Sequence, residues 1–153
     1  MRLLETKIPA PFVAIAIAVG MWFLPRVEPV PDLIGRVRLA AIDVSMDLSA
    51  VLALVAAVTL WKARTTINPL KPERASALVT HGIYRLTRNP MYLSLLLLLV
   101  AYVIHLGSWE AFVGPIAYVA YITRYQIIPE ERVLEAKFGS EYAEYKRQVR
   151  RWI

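Results

Sequence analysis

Residues 91–110 read MYLSLLLLLVAYVIHLGSWE, and residues 111–128 continue AFVGPIAYVAYITRYQII. Two apolar runs, Met91–Leu106 and Ala111–Ile128, are separated only by Gly107, Ser108, Trp109 and Glu110. A linker that short lays two helices antiparallel as a hairpin. Length then decides the solvent they meet. About 20 apolar residues cross the hydrocarbon of a bilayer, and roughly 17 to 25 are tolerated. Ala111–Ile128 satisfies this, Met91–Leu106 is slightly short, and two upstream runs, Ile8–Leu24 and Leu39–Trp61, also satisfy it. The first run has no small-residue cleavage pattern and reads as a retained helix, not a signal peptide. The sequence therefore predicts an all-α, polytopic, multi-pass membrane protein of about four transmembrane helices. Residues 1–153 form one domain, with an N-terminal helical pair (1–61) and a loop, hairpin and C-terminal amphipathic helical segment (62–153).

Composition agrees. Of 153 residues, 58% are hydrophobic and 20% charged, with a net charge of +6 and a mean hydropathy of +0.47. A soluble domain is about half apolar and roughly a quarter charged. There is no cysteine, which excludes disulfides, thiolate metal sites and cysteine nucleophiles. Fifteen of the 18 basic residues fall at the N-terminus, between runs two and three, or in the C-terminal tail; only Arg26, Arg36 and Arg38 fall in the first outer loop. The positive-inside rule makes the basic side, with both termini, cytoplasmic. These charges flank apolar runs and form no nucleic-acid motif, so the expected partners are membrane lipids and not nucleic acid.

Chemistry is therefore sought on the basic side. Residues 62–89 read KARTTINPLKPERASALVTHGIYRLTRN. Pro69 and Pro72 break any continuous helix, and Gly82 permits a turn. Asn89-Pro90 reads as a helix start, with Asn89 as N-cap and Pro90 at the first helical position. Free N–H groups at such an end attract carboxylates and phosphates, and Arg88 adds a planar cationic fork. The tail, QIIPEERVLEAKFGSEYAEYKRQVRRWI, opens a further helix at Pro129, with Glu130 and Glu131 complementing its N-terminus. Leu134, Phe138, Tyr142, Tyr145, Val149 and Trp152 make an amphipathic stripe that breaks at Gly139. Two uses suit that stripe. It can lie on anionic headgroups, with Arg147, Arg150 and Arg151 in contact with them, or it can close as a lid over residues 62–89.

The order and spacing of two long motifs, LVTHGIYRLTRNPMY and EERVLEAKFGSEYAEYKRQV, resemble the isoprenylcysteine carboxyl methyltransferase family and its phospholipid N-methyltransferase relatives. Leu78, Val79, Gly82, Tyr84, Arg88, Asn89, Pro90 and Tyr92 match the first motif. Glu130, Glu131, Leu134, Phe138, Gly139, Tyr142 and Tyr145 match the second. The resemblance covers the C-terminal half; the upstream runs match only as hydrophobic helices. Many members have His where Asn89 stands, which puts the acceptor in question more than the cofactor.

What the resemblance implies is an integral-membrane methyltransferase that uses S-adenosylmethionine in a cytoplasm-facing pocket, closed by the C-terminal segment. A lipophilic acceptor, small molecule or lipid, enters from the bilayer. No Gly-x-Gly loop is present, so a soluble dinucleotide-type fold is not encoded. Arg88 and the helix start at Asn89, Pro90 and Met91 suit the cofactor's carboxylate, and Glu130 its ammonium. Leu78, Val79, Tyr84 and Tyr92 suit adenine, although Tyr84 and Tyr92 also read as interfacial tyrosines. A carboxylate acceptor needs no base, whereas an amine needs its proton taken, for which Glu131 is nearest. Arg124, inside the last apolar run, either snorkels or holds an anionic acceptor. His81 and His105 read as loop and interfacial residues. Asp43 and Asp47 read as lying near the outer interface. A sterol-reductase-like NADPH enzyme and an inactive membrane scaffold are the competing readings.

Overall fold

The computed structural model describes residues 7–24, 35–64 and 76–153, and all regular structure within them is helical. Pro69, Pro72, Arg2, Arg26, Lys71 and Arg74, used above, lie outside the described residues. The helices are α1 (Ala10–Trp22), α2 (Gly35–Lys62), α3 (Pro90–Leu106), α4 (Val113–Ile122) and α5 (Ile128–Gln148). Single 3-10 turns occupy Gly82–Arg85 and Glu110–Phe112, and a π-helical turn, Thr123–Ile127, joins α4 to α5.

Among the described residues only α2, at 28 residues, is long and apolar enough to cross a membrane by itself. The 13 residues of α1 and 17 of α3 are apolar but shorter. At 1.5 Å per residue they reach roughly 20 and 26 Å, against about 30 Å of hydrocarbon. The fourth run passes without a loop into the helix that follows. Pro129 stands in the first turn of α5 as predicted. Lacking an N–H and crowding the carbonyl four residues back, it cannot sit in a regular ladder. The π turn before it widens the helix there, so the chain continues.

The helices alternate in direction. At one end Arg38 of α2 donates from Nε to the Ile104 carbonyl (3.0 Å) and from Nη2 to the His105 carbonyl of α3. Gly107 ends α3 there in the left-handed region (φ 66), its N–H on the Val103 carbonyl at 3.0 Å. This is the predicted hairpin turn. Ala10, Val13, Ala14 and Met21 of α1 pack with Leu99, Val103, Tyr118 and Ile122 of α3 and α4. Gly114 lets α1 and α4 approach, since a Cβ there would collide with Met21 and lie 3.2 Å from Ile17. At the opposite end Gln126 donates to the Ile8 carbonyl (2.7 Å). A second apolar cluster there joins Ala56 of α2, Val79, Tyr84, and Tyr142, Tyr145 and Val149 from α5 and the residue after it.

Candidate functional site

At this second end α2 finishes and α3 and α5 begin, so residues far apart in sequence share a small volume. Pro90 occupies the first turn of α3 and is fully buried. Asn89 has the N-cap position but not the expected N-cap bond. Its Nδ2 donates instead to the Arg151 carbonyl at 2.9 Å, and its backbone N–H donates to Thr87 Oγ1 at 3.1 Å. The amide thereby ties the irregular C-terminal segment to the loop. Thr87 Oγ1 also donates to the Arg151 carbonyl (3.3 Å), and Arg88 N–H donates to the Arg150 carbonyl (3.1 Å). The start of α3 is left without a side-chain cap.

Arg88 is the central cation. Its side chain is only 9% exposed, with Nη1 3.1 Å from Glu131 Oε1. That contact is close enough for attraction but not aligned as a hydrogen bond. Nε and Nη1 are buried donors without an acceptor among the described residues. Glu131 is itself buried, and Arg151 grips both its oxygens, Nε to Oε1 at 3.0 Å and Nη2 to Oε2 at 2.7 Å. This bidentate fork raises the Arg151 pKa.

Glu130, one residue earlier, has the opposite environment. Burial pushes its carboxyl up from 4.5 to about 8; the Tyr92 hydroxyl, which donates to Oε1, opposes that rise, and the Glu131 charge adds to it. The adjacent carboxyls thus differ in their partners, Glu131 facing two guanidiniums and Glu130 none among the described residues. Around them stands an aromatic wall. Tyr145 Oη donates to the Tyr84 carbonyl at 2.6 Å. Burial raises Tyr84 and Tyr145 above the ordinary phenol range and Tyr142 to about 12, with Arg88 opposing the shift at Tyr142. Leu78, Met91, Leu134 and Phe138 pack against this wall.

Arg88, Glu130, Glu131, Asn89, Pro90 and Tyr92 therefore come together, with Leu78, Val79, Tyr84 and Met91 beside them. Arg124 sits in the π turn, its guanidinium 5.4 Å from the centre of its neighbour Tyr125's ring. The tail stripe packs against the 78–84 segment through Tyr142, Tyr145 and Val149, so these three do not face outward. Its break at Gly139 is present (φ 51, ψ −121). Trp152 anchors the C-terminal segment by donating to Thr123 Oγ1 at 3.2 Å. Sequence reasoning missed Thr87 and Arg151. The sequence groups Arg151 with Arg147 and Arg150 as a headgroup contact, and no local signal separates it from them.

Fold and site together define an all-helical protein with one charge-lined, aromatic-walled end. The chain belongs to the phospholipid methyltransferase family, whose model matches residues 39–141. It is 34% identical over 100 residues to protein-S-isoprenylcysteine O-methyltransferase A of Arabidopsis thaliana, covering 61% of this chain and 48% of that protein. It is 31% identical over 134 residues to a probable protein-S-isoprenylcysteine O-methyltransferase of Oryza sativa subsp. indica, covering 84% of this chain and 60% of that one. A shorter uncharacterized protein of Haemophilus influenzae is 51% identical over 63 residues, its whole length and 41% of this chain. The chain thus spans about half to three-fifths of the two named plant relatives.

Proposed function

We propose that this chain is an integral-membrane methyltransferase that takes its methyl group from S-adenosylmethionine and delivers it to a lipophilic acceptor at the cytoplasmic face. The observation that carries the reading is the buried Arg88 guanidinium, whose Nε and Nη1 make no hydrogen bond among the described residues, in contact with Glu131, whose chain neighbour Glu130 is a carboxyl held largely neutral. A zwitterionic ligand answers both. Its carboxylate satisfies Arg88 and the uncapped start of α3, where Pro90 has no N–H and Met91 is the first donor, and its ammonium gives Glu130 the countercharge it lacks. Val79, Tyr84 and Tyr92, with Leu78 at the edge, furnish apolar and aromatic surface for an adenine ring. S-adenosylmethionine, when bound, supplies an electrophilic methyl on a sulfonium.

The chain's own residues bind and align. Glu131 holds Arg88 by charge and Arg151 by a fork, which ties the C-terminal segment to the start of α5. Orientation of this kind contributes several kcal/mol to a bimolecular displacement. Glu131 is also the carboxylate nearest an acceptor proton, but Arg151 already takes both its oxygens. An acceptor that needs no base, a carboxylate on an apolar chain, therefore suits the site better than an amine. Arg124, in the π turn, serves in this reading as the cation that meets such an acceptor. The four apolar helices are read as spans, with the basic end, where the site lies, in the cytoplasm.

The test is calorimetry on detergent-purified protein, titrating S-adenosylmethionine and NADPH in parallel, with Glu130→Gln as control. Binding of S-adenosylmethionine that weakens in the variant is the expected result. Binding of NADPH alone would sink the proposal.

A further inference from the structure

The side of α2 that faces away from the protein is apolar and carries a heptad spacing. Ser49 and Ala56, seven residues apart, are its buried residues, and Ser49 Oγ donates to the Ser94 carbonyl of α3 at 2.7 Å. Opposite that line, exposed residues recur at alternating steps of four and three. Val44, Val51 and Val58 hold one heptad position. Ala40, Asp47, Leu54 and Trp61 hold the other, with Leu54 65% and Trp61 71% exposed. Such a repeat over three heptads has the spacing of a left-handed coiled-coil seam, with valine at one position throughout and Leu54 the single leucine at the other.

One member of the seam does not belong in lipid. α2 begins at Gly35, four residues before the apolar run, so Asp47 is not near its outer end. It stands twelve residues after Gly35 and fifteen before Lys62, close to mid-helix. Asp47 is exposed and makes no hydrogen bond or ion pair among the described residues. An ionisable side chain at that depth in a span needs a partner.

We infer that α2 is the dimerisation helix of this protein, pairing in parallel with α2 of a second copy along the Val44–Val51–Val58 seam, with the two Asp47 carboxyls meeting across the axis. This rests on the membrane reading above, because the bilayer sets two copies parallel and at equal depth. A two-fold axis along the membrane normal then brings each seam residue to its own counterpart, as an isologous interface requires. Two carboxyls at one depth can hydrogen-bond by sharing a proton, whereas a basic residue on a different protein would have to match that depth by chance. A single polar residue in an apolar seam sets register and strand number.

The natural chain has no cysteine, so single cysteines report directly. Val51→Cys and Leu54→Cys lie on the seam; Leu39→Cys and Met46→Cys are equally exposed but off it. Oxidation of the full-length variants in native membranes is expected to give covalent dimers at the two seam sites and monomers at the other two. In the Leu54→Cys background, Asp47→Asn, which keeps a donor and an acceptor, retains the dimer. Asp47→Leu weakens association about five- to thirty-fold, the worth of a strong interhelical hydrogen bond, read as dimer fraction against dilution in detergent. Equal cross-linking at all four sites, or none at the seam, overturns the inference. The same cysteines test the membrane reading separately. Labelling of Met46→Cys by a water-soluble maleimide in sealed membranes would refute the span, whatever the cross-linking shows.

Discussion

Replacing Glu130 by Gln should stabilise this protein while weakening its ligand site. The Glu130 carboxyl has a pKa of about 8 in the folded protein against 4.5 for the free group. Between those values the unfolded chain has lost the proton and the folded chain keeps it, so the folded state binds more protons. Stability therefore falls as pH rises through that window, is fully present below about 4.5 and levels off above about 8. Each pH unit inside the window costs about 1.4 kcal/mol, so the loss reaches about 3 kcal/mol by pH 7. Glutamine keeps an acceptor for the Tyr92 hydroxyl and never ionises. Denaturation of the detergent-solubilised protein between pH 5 and 8.5 reads this directly. Wild type should lose stability steadily with pH, and Glu130→Gln should lose clearly less, the two meeting near pH 4.5. Parallel pH profiles, or a variant less stable than wild type at pH 7.5, would refute the assignment of Glu130 as a carboxyl held neutral by burial.

The same group predicts that S-adenosylmethionine binds more tightly at pH 8.5 than at pH 6.5. At pH 7 binding should release a proton, seen as a binding enthalpy that changes with the buffer's ionisation enthalpy. Arg88→Met should lower affinity at least tenfold, about 1.4 kcal/mol, with the helical circular dichroism signal unchanged; Arg88→Lys should not restore it, because an ammonium cannot supply the planar fork. Gly139→Ala meets no neighbour within 4 Å but must adopt φ 51, ψ −121. It should lose about 1–3 kcal/mol of stability from backbone strain alone, measured by thermal melting. Gly114→Ala should cost about 1–3 kcal/mol through overpacking against Met21 and Ile17, and a Met21→Ala change made with it should recover part of that loss.

How much was legible in the sequence varies by element. The hairpin of α3 and α4 follows from two apolar runs and Gly107, because a four-residue turn leaves the chain little choice. Pro90 and Gly139 mark a helix start and a break through their own backbone preferences, and both appear where expected. Helix lengths were less legible. Hydropathy locates apolar runs, but the π turn that carries α4 into α5 answers a steric demand of Pro129 that a hydropathy count does not register. Asn89 shows the limit for capping, since its side chain is drawn to a carbonyl 62 residues away.

By itself the sequence determined that the chain is helical and apolar, where its charges gather, and that Arg88, Glu130 and Glu131 belong to one motif-bearing region. Those properties depend on each residue and its near neighbours. Only the tertiary structure decided that Glu131 is gripped by Arg151 while Glu130 is left to take a proton, and that Arg88 keeps two buried donors open. It also turned Tyr142 and Tyr145 inward and left Asp47 exposed on α2 without a partner among the described residues. The reason is physical: charge state and hydrogen-bond partners inside a protein are set by which groups share the same poorly solvated volume. Sharing of that kind is a property of the packed chain and not of neighbours along it.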